Sequence, residues 1–137
     1  MVIYKDLKDI KEKFDIIDSI VYGIKWDENM LDLLIILDYY EGKPTTGKTY
    51  VIRLKDCFEA KFKMTKWMKR TPAKERQGYI WSWYTTLYMQ IEQKDILEVR
   101  IITGLDNVWL TAKCEEIWIE DDEILQSHSK SNHLAEN

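Results

Sequence analysis

Between Gly42 and Thr49 the chain reads GKPTTGKT, and Gly42, Gly47, Lys48 and Thr49 satisfy the spacing G-x-x-x-x-G-K-[ST]. In nucleotide hydrolases and kinases that spacing cradles phosphates because a strand runs into the loop and a helix leaves it. The loop N–H groups wrap the phosphates, the helix N-terminus adds positive potential, and the lysine reaches the terminal phosphate. The strand is present here as LLIILD, residues 33–38. The helix is missing from the pattern: TYVIRLKD, residues 49–56, alternates with a period of two and is rich in strand formers. Asp38 imitates the magnesium-binding aspartate of such enzymes but lies on the strand that enters the loop, not on a separate neighbour. The expectation is a hairpin loop in which Gly42 and Gly47 supply positive φ and Pro44 sets a turn. Nucleotide binding through Gly42, Gly47, Lys48 and Thr49 stands as an alternative that a helix over 49–55 would restore.

Three further groups of residues have chemistry to offer. The segment 61–76 is basic and contains Lys66, Trp67, Lys69 and Arg70, a lysine-and-aromatic set that can clamp and stack single-stranded nucleic acid. The run CEEIWIEDDE supplies Glu115, Glu116, Glu120, Asp121 and Asp122, a negative face suited to a basic partner. It lacks the spacing and glycine of a calcium loop, so no metal site is expected. The strand-like stretch 79–92 carries Tyr84 and Tyr88 on its less apolar face, and tyrosines on an exposed strand are natural contact residues. Catalytic constellations are not apparent. Both histidines, His128 and His133, fall in a polar, aperiodic C-terminal stretch, and no Cys-x-x-Cys pair accompanies them. Cys57 and Cys114 read as small buried hydrophobes with reduced thiols. No cofactor is implied.

The elements that must position these groups are mostly strands. With 137 residues, 45% hydrophobic and 32% charged, the chain fits one globular domain with its own core. Its net charge of −4 argues against wholesale nucleic-acid binding, which needs a basic footprint. The N-terminus has no apolar signal region and the longest apolar run is too short to span a bilayer, so a cytoplasmic location is expected. Leu7, Ile10 and Phe14 recur at helical spacing and predict a short helix over about 4–14. Thereafter the period is two. Ile20, Tyr22, Ile24 and Trp26 share a face; Leu31, Leu33, Ile35 and Leu37 share another; Phe58, Ala60 and Phe62 point inward; so do Val108, Leu110, Ala112 and Cys114. The inward parity then shifts to Ile117 and Ile119, the mark of a bulge near Glu115–Glu116 or of a break between two strands. The sum is a mostly-β, single-domain antiparallel β-sandwich or strongly curved sheet of about seven strands over residues 1–126, followed by a flexible tail, 127–137.

IKWDENMLDLLIILDYY early, IWSWY in the middle and WLTAKCEEIWIE late give residues 16–120 a loose overall likeness. The chain resembles small uncharacterised mostly-β proteins of Gram-positive bacteria and the mostly-β immunity proteins of bacterial polymorphic toxin systems. The resemblance implies a non-enzymatic protein that neutralises a toxin by binding it, and it carries over no functional residue. The sequence therefore leads to a protein-binding module with a protein partner, for which a basic toxin domain would suit the acidic run. Its alternatives are the nucleotide loop and the single-strand nucleic-acid segment.

Overall fold

The computed structural model describes residues 2–38, 49–63, 84–104 and 107–121. The expected glycine loop, with Gly42, Gly47 and Lys48, lies outside the described residues, as do Lys66, Trp67, Lys69, Arg70, Asp122 and the tail 127–137.

A short helix, α1 (Leu7–Lys13), follows a three-residue strand, β1 (Val2–Tyr4). Asp6 starts the helix: its carboxylate accepts the Lys8 N–H at 2.8 Å, supplying one of the donors that a first turn leaves unpaired. Eight further strands complete the described residues: β2 (Ile20–Trp26), β3 (Leu33–Asp38), β4 (Thr49–Lys55), β5 (Glu59–Phe62), β6 (Thr86–Gln93), β7 (Leu97–Thr103), β8 (Asn107–Cys114) and β9 (Glu116–Asp121). They form two antiparallel sheets, ordered β1-β9-β4-β3-β2 and β5-β8-β7-β6, which do not close into a barrel. About seven strands were expected, and the described residues alone hold nine: β1 precedes the helix, and VWLTAKCEEIWIE is two strands belonging to different sheets.

The core fills the space between the sheets. Paired residues in an antiparallel ladder point to the same side. Leu33, Leu54 and Ile117 therefore form one inward row, and Ile35, Ile52 and Ile119 the next. From the other sheet come Val99 with Ala112, and Ile101 with Leu110. The helix closes part of this core with Ile10, while Phe14 and Ile16 follow it into the interior. The Phe14 ring meets Tyr50 edge-on at 6.1 Å.

Two seams tie the sheets together. At the first, β4 runs on into β5 through Asp56–Phe58 and β8 runs on into β9 through Glu115, so a paired ribbon bends from one sheet into the other. The Glu115 N–H donates to the Lys55 carbonyl at 2.9 Å, and the Phe58 N–H to the Lys113 carbonyl at 3.1 Å, keeping the ribbon paired through the bend. At the second, Ile20 bridges to Thr85, and the buried Thr86 hydroxyl is shared between the carbonyls of Ile16 and Ser19.

Three faces differ from the sequence reading. In β2 a register shift between Val21 and Gly23 makes Val21 a buried residue, while Ile24 and Trp26 on this edge strand stay exposed. In β8 a register shift buries Trp109 and leaves Val108 exposed, the reverse of the simple alternation. At β5, Phe62 in the strand and Phe58 just before it are exposed despite their inward parity, because β5 is an edge strand.

Candidate binding surface

The ribbon bend carries Phe58, one of the most exposed large apolar side chains of the described residues. Its neighbour is the turn between β2 and β3. There Asp27 and Asn29 satisfy the backbone: Asp27 accepts the Glu28 N–H at 2.8 Å through its carboxylate, and Asn29 accepts the Leu31 N–H at 2.9 Å through its side-chain oxygen. The Cys57 N–H then donates to the Leu31 carbonyl at 2.8 Å, fastening this turn to the bend. The turn that carries Met30, 69% exposed, and Leu31, 54% exposed, is thereby tied to the bend that carries Phe58, 60% exposed, next in the chain to Cys57, while Trp26 ends β2. Glu28, Asp56 and Glu115 are exposed around them and form no ion pair among the described residues.

Both elements hold strained backbone. Met30 has φ of 61° and Asp56 has φ of 50°. Aspartate tolerates that region; methionine is an unusual occupant, since left-handed positions cost a bulky L-residue about 1–2 kcal/mol.

An ion network beneath the surface holds the geometry. Asp32 is 1% exposed, yet its carboxylate is fully engaged. One oxygen accepts the Asp56 N–H at 3.1 Å; the other accepts Arg53 Nη1 at 3.0 Å and Lys55 Nζ at 3.2 Å. Arg53 also donates to Asp27 through Nη1 and to Glu120 through Nε at 2.6 Å. Burial by itself would raise the Asp32 carboxyl, but its hydrogen bonds from Asp56, Arg53 and Lys55 outweigh burial and hold it below the ordinary value. The Arg53 hydrogen bond is the main cause lowering Asp27. Burial would lower the guanidinium of Arg53, and its carboxylate partners, Glu120 foremost, reverse that and raise it. Lys5 and Lys55 lie over the Trp118 ring, 4.3 and 4.5 Å from its centre, and the indole N–H donates to Glu116 at 2.9 Å.

The structure thus scatters the acidic run. Glu115 is exposed on the bend. Glu116 is exposed but receives the Trp118 N–H, and Glu120 is half-buried against Arg53. Asp121 ends β9, opposite Tyr50. The tyrosines lie on the other sheet's side and not with the acids. Tyr84 is half-buried with its ring edge-on to Trp109 at 5.9 Å, whereas Tyr88 is exposed on β6. Tyr88 lines a pocket of about 340 Å³ between α1 and β6, with Ile10, Phe14 and Met89 and the charges of Lys11, Glu12 and Asp15. Thr49, the last residue of the glycine-loop spacing, begins strand β4. No group of three metal-ligating side chains occurs among the described residues, and none of their helices is long and apolar enough to cross a membrane.

Met30, Leu31, Phe58 and the Arg53 network escaped the sequence reading. One signal was present: a methionine and a leucine directly after the turn residues Asp27–Asn29, where polar or glycine residues normally sit. No protein-family model matches the chain, and no curated protein matches it.

Proposed function

We propose that this chain is a non-enzymatic protein-binding module that docks a partner through the ribbon bend, with Met30, Leu31 and Phe58 as anchors and Glu28, Asp56 and Glu115 as an acidic rim. The observation that carries the reading is Met30: a large apolar residue, 69% exposed, held at φ 61°. Neither burial nor local backbone preference favours methionine there, whereas an interface would. Large apolar residues inside a polar rim are the anatomy of a binding hot spot. The partner that fits has an apolar pocket bordered by lysines or arginines. A basic toxin domain is such a partner, and neutralising it in the manner of an immunity protein is the finer form of the proposal.

The nucleotide reading is the weaker alternative, because the chain that follows Lys48 is strand from Thr49 to Lys55 and offers no helix N-terminus to a phosphate. The test is co-purification with the products of the genes flanking its own, followed by Kd measurement. Phe58→Ala and Met30→Asn are expected to weaken a one-to-one complex by about tenfold or more each, on the scale of anchor residues. A complex indifferent to both changes, or magnesium-dependent ATP binding lost in Lys48→Ala, would overturn the proposal.

A further inference from the structure

Cys57 and Cys114 are both free, both buried, and both part of the core cluster between the sheets. They occupy the two strands of the ribbon at its bend. On one side of them Lys55 is paired with Glu116; on the other, Glu59 is paired with Lys113. Three residues, Asp56 to Phe58, therefore span the same stretch as two, Cys114 and Glu115. That is a bulge, in which Cys57 and Phe58 together oppose Cys114. Phe58 turns outward and Cys57 inward, so Cys57 is the bulge residue whose side chain faces the core with Cys114. The flanking hydrogen bonds, Phe58 N–H to Lys113 at 3.1 Å and Glu115 N–H to Lys55 at 2.9 Å, hold the two strands at ladder distance on either side. Opposed residues in an antiparallel ladder have Cα atoms about 4.5–5.5 Å apart, inside the range of about 4.4–6.8 Å that a disulfide spans.

We propose that Cys57 and Cys114 are a dithiol that a small peroxide converts to an intrachain disulfide, stapling the ribbon where it crosses from one sheet to the other. The sulfurs share an environment: burial pushes the Cys114 thiol up to about 12, and the neighbouring Cys57 adds to the effect. Cys57 is the less enclosed of the two and donates its S–H to the Glu59 carbonyl at 3.4 Å. Its sulfur is the one that meets hydrogen peroxide. Burial raises the Cys57 thiol too, so the thiolate is a minor form and the reaction is slow. Once the thiol has lost its proton the thiolate attacks one peroxide oxygen, the O–O bond breaks, and the hydroxide that leaves takes up that proton as water, giving the sulfenic acid. Cys114 sulfur then attacks Cys57 sulfur, the S–O bond breaks, and the second water carries off the Cys114 proton. Two thiols and one peroxide give one disulfide and two waters. Burial makes the reduced pair inert toward bulky thiol reagents, so a small oxidant is the one that distinguishes it.

The native chain is treated with hydrogen peroxide, quenched, unfolded in denaturant with N-ethylmaleimide, and weighed intact. Loss of two hydrogens with no alkylation is expected, together with a single cross-linked peptide joining residues 57 and 114 that parts on reduction. A rise in the thermal midpoint, reversed by dithiothreitol, accompanies it. Cys57→Ser and Cys114→Ser each lose the cross-link; the wild-type peptide map answers the question even where a serine variant does not fold. Two alkylated thiols, oxygen added to one cysteine without cross-linking, or a disulfide joining two chains would each overturn the proposal.

Discussion

Met30 sits in a left-handed turn position with its side chain in water, so its backbone costs stability and its side chain returns little by burial. Asparagine adopts that backbone readily. Met30→Asn is therefore expected to leave stability unchanged or raise it by about 0.5–1 kcal/mol, measured by urea unfolding, while partner affinity falls. A substitution that stabilises the fold and weakens binding separates an interface role from a structural one. Arg53 behaves in the opposite way. Replacing it with methionine would strand the buried Asp32 carboxylate with only Lys55 and one backbone N–H, at a cost of about 3 kcal/mol or more. Exposed pairs such as Lys94 with Glu92 contribute about 0–1 kcal/mol. The same network sets an acid limit. The carboxyls of Asp27 and Asp32 lie lower in the folded chain than the ordinary aspartate value of about 3.8, so both are deprotonated in either state at neutral pH and their stabilisation is fully present there. It drains away as pH falls below about 4, where the unfolded chain binds protons first. Asp32→Asn should flatten the loss of stability between about pH 5 and 2 relative to the wild type, followed by urea midpoints across that range.

At the scale of elements, two register shifts decide which side chains are core. Strict alternation makes Val108 a core residue; the shift between Ile101 and Ile102 on the partner strand gives that place to Trp109, which packs on Phe62 at 5.5 Å and on Tyr84. Trp109→Ala is expected to cost about 3–5 kcal/mol and Val108→Ala under about 1 kcal/mol. Thermal or urea unfolding of the pair checks the assignment, and equal costs would refute it. This marks how far the sequence reaches. Rows such as Leu33, Ile35 and Leu37 were legible because a central strand has a neighbour on each side and an uninterrupted period. So was the parity change after Cys114, which the structure shows to be a strand leaving one sheet for the other. The faces of β2 and β5 were not, since inward parity buries a residue only when something lies above it, and at a sheet edge Trp26 and Phe58 meet water. The proposed binding surface was hidden in part for the same reason. Leu31 and Phe58 carry inward parity, Met30 falls on the mixed face of its strand, and Glu120, read as available to a partner, is taken up by Arg53 sixty-seven positions away.

For the molecule as a whole, the ends of the described chain meet: β1 pairs with β9, Val2 opposite Glu120 and Tyr4 opposite Ile119. This contact spans nearly the full length of the described residues, so the loop it closes is long and it contributes little until both sheets exist. It has two effects once formed. It covers the hydrogen-bonding edge of β9, and it brings Lys5 over Trp118 on the face that carries the Arg53 network. An uncovered β9 would present a free edge beside the inward row of Ile117 and Ile119, the condition under which sheets pair between molecules. Removing residues 1–5 keeps the Asp6 cap and the helix, and should cost about 2–4 kcal/mol, since two residue pairs, one cation–ring contact and the packing of Tyr4 on the core are lost. Its larger effect is on association. The truncated chain should form dimers or larger species by light scattering at concentrations where the full chain does not, and a charged residue placed in β9 at a water-facing position should reverse this. A truncated chain that stays as monomeric as the full one would show that the β9 edge is protected by something other than β1.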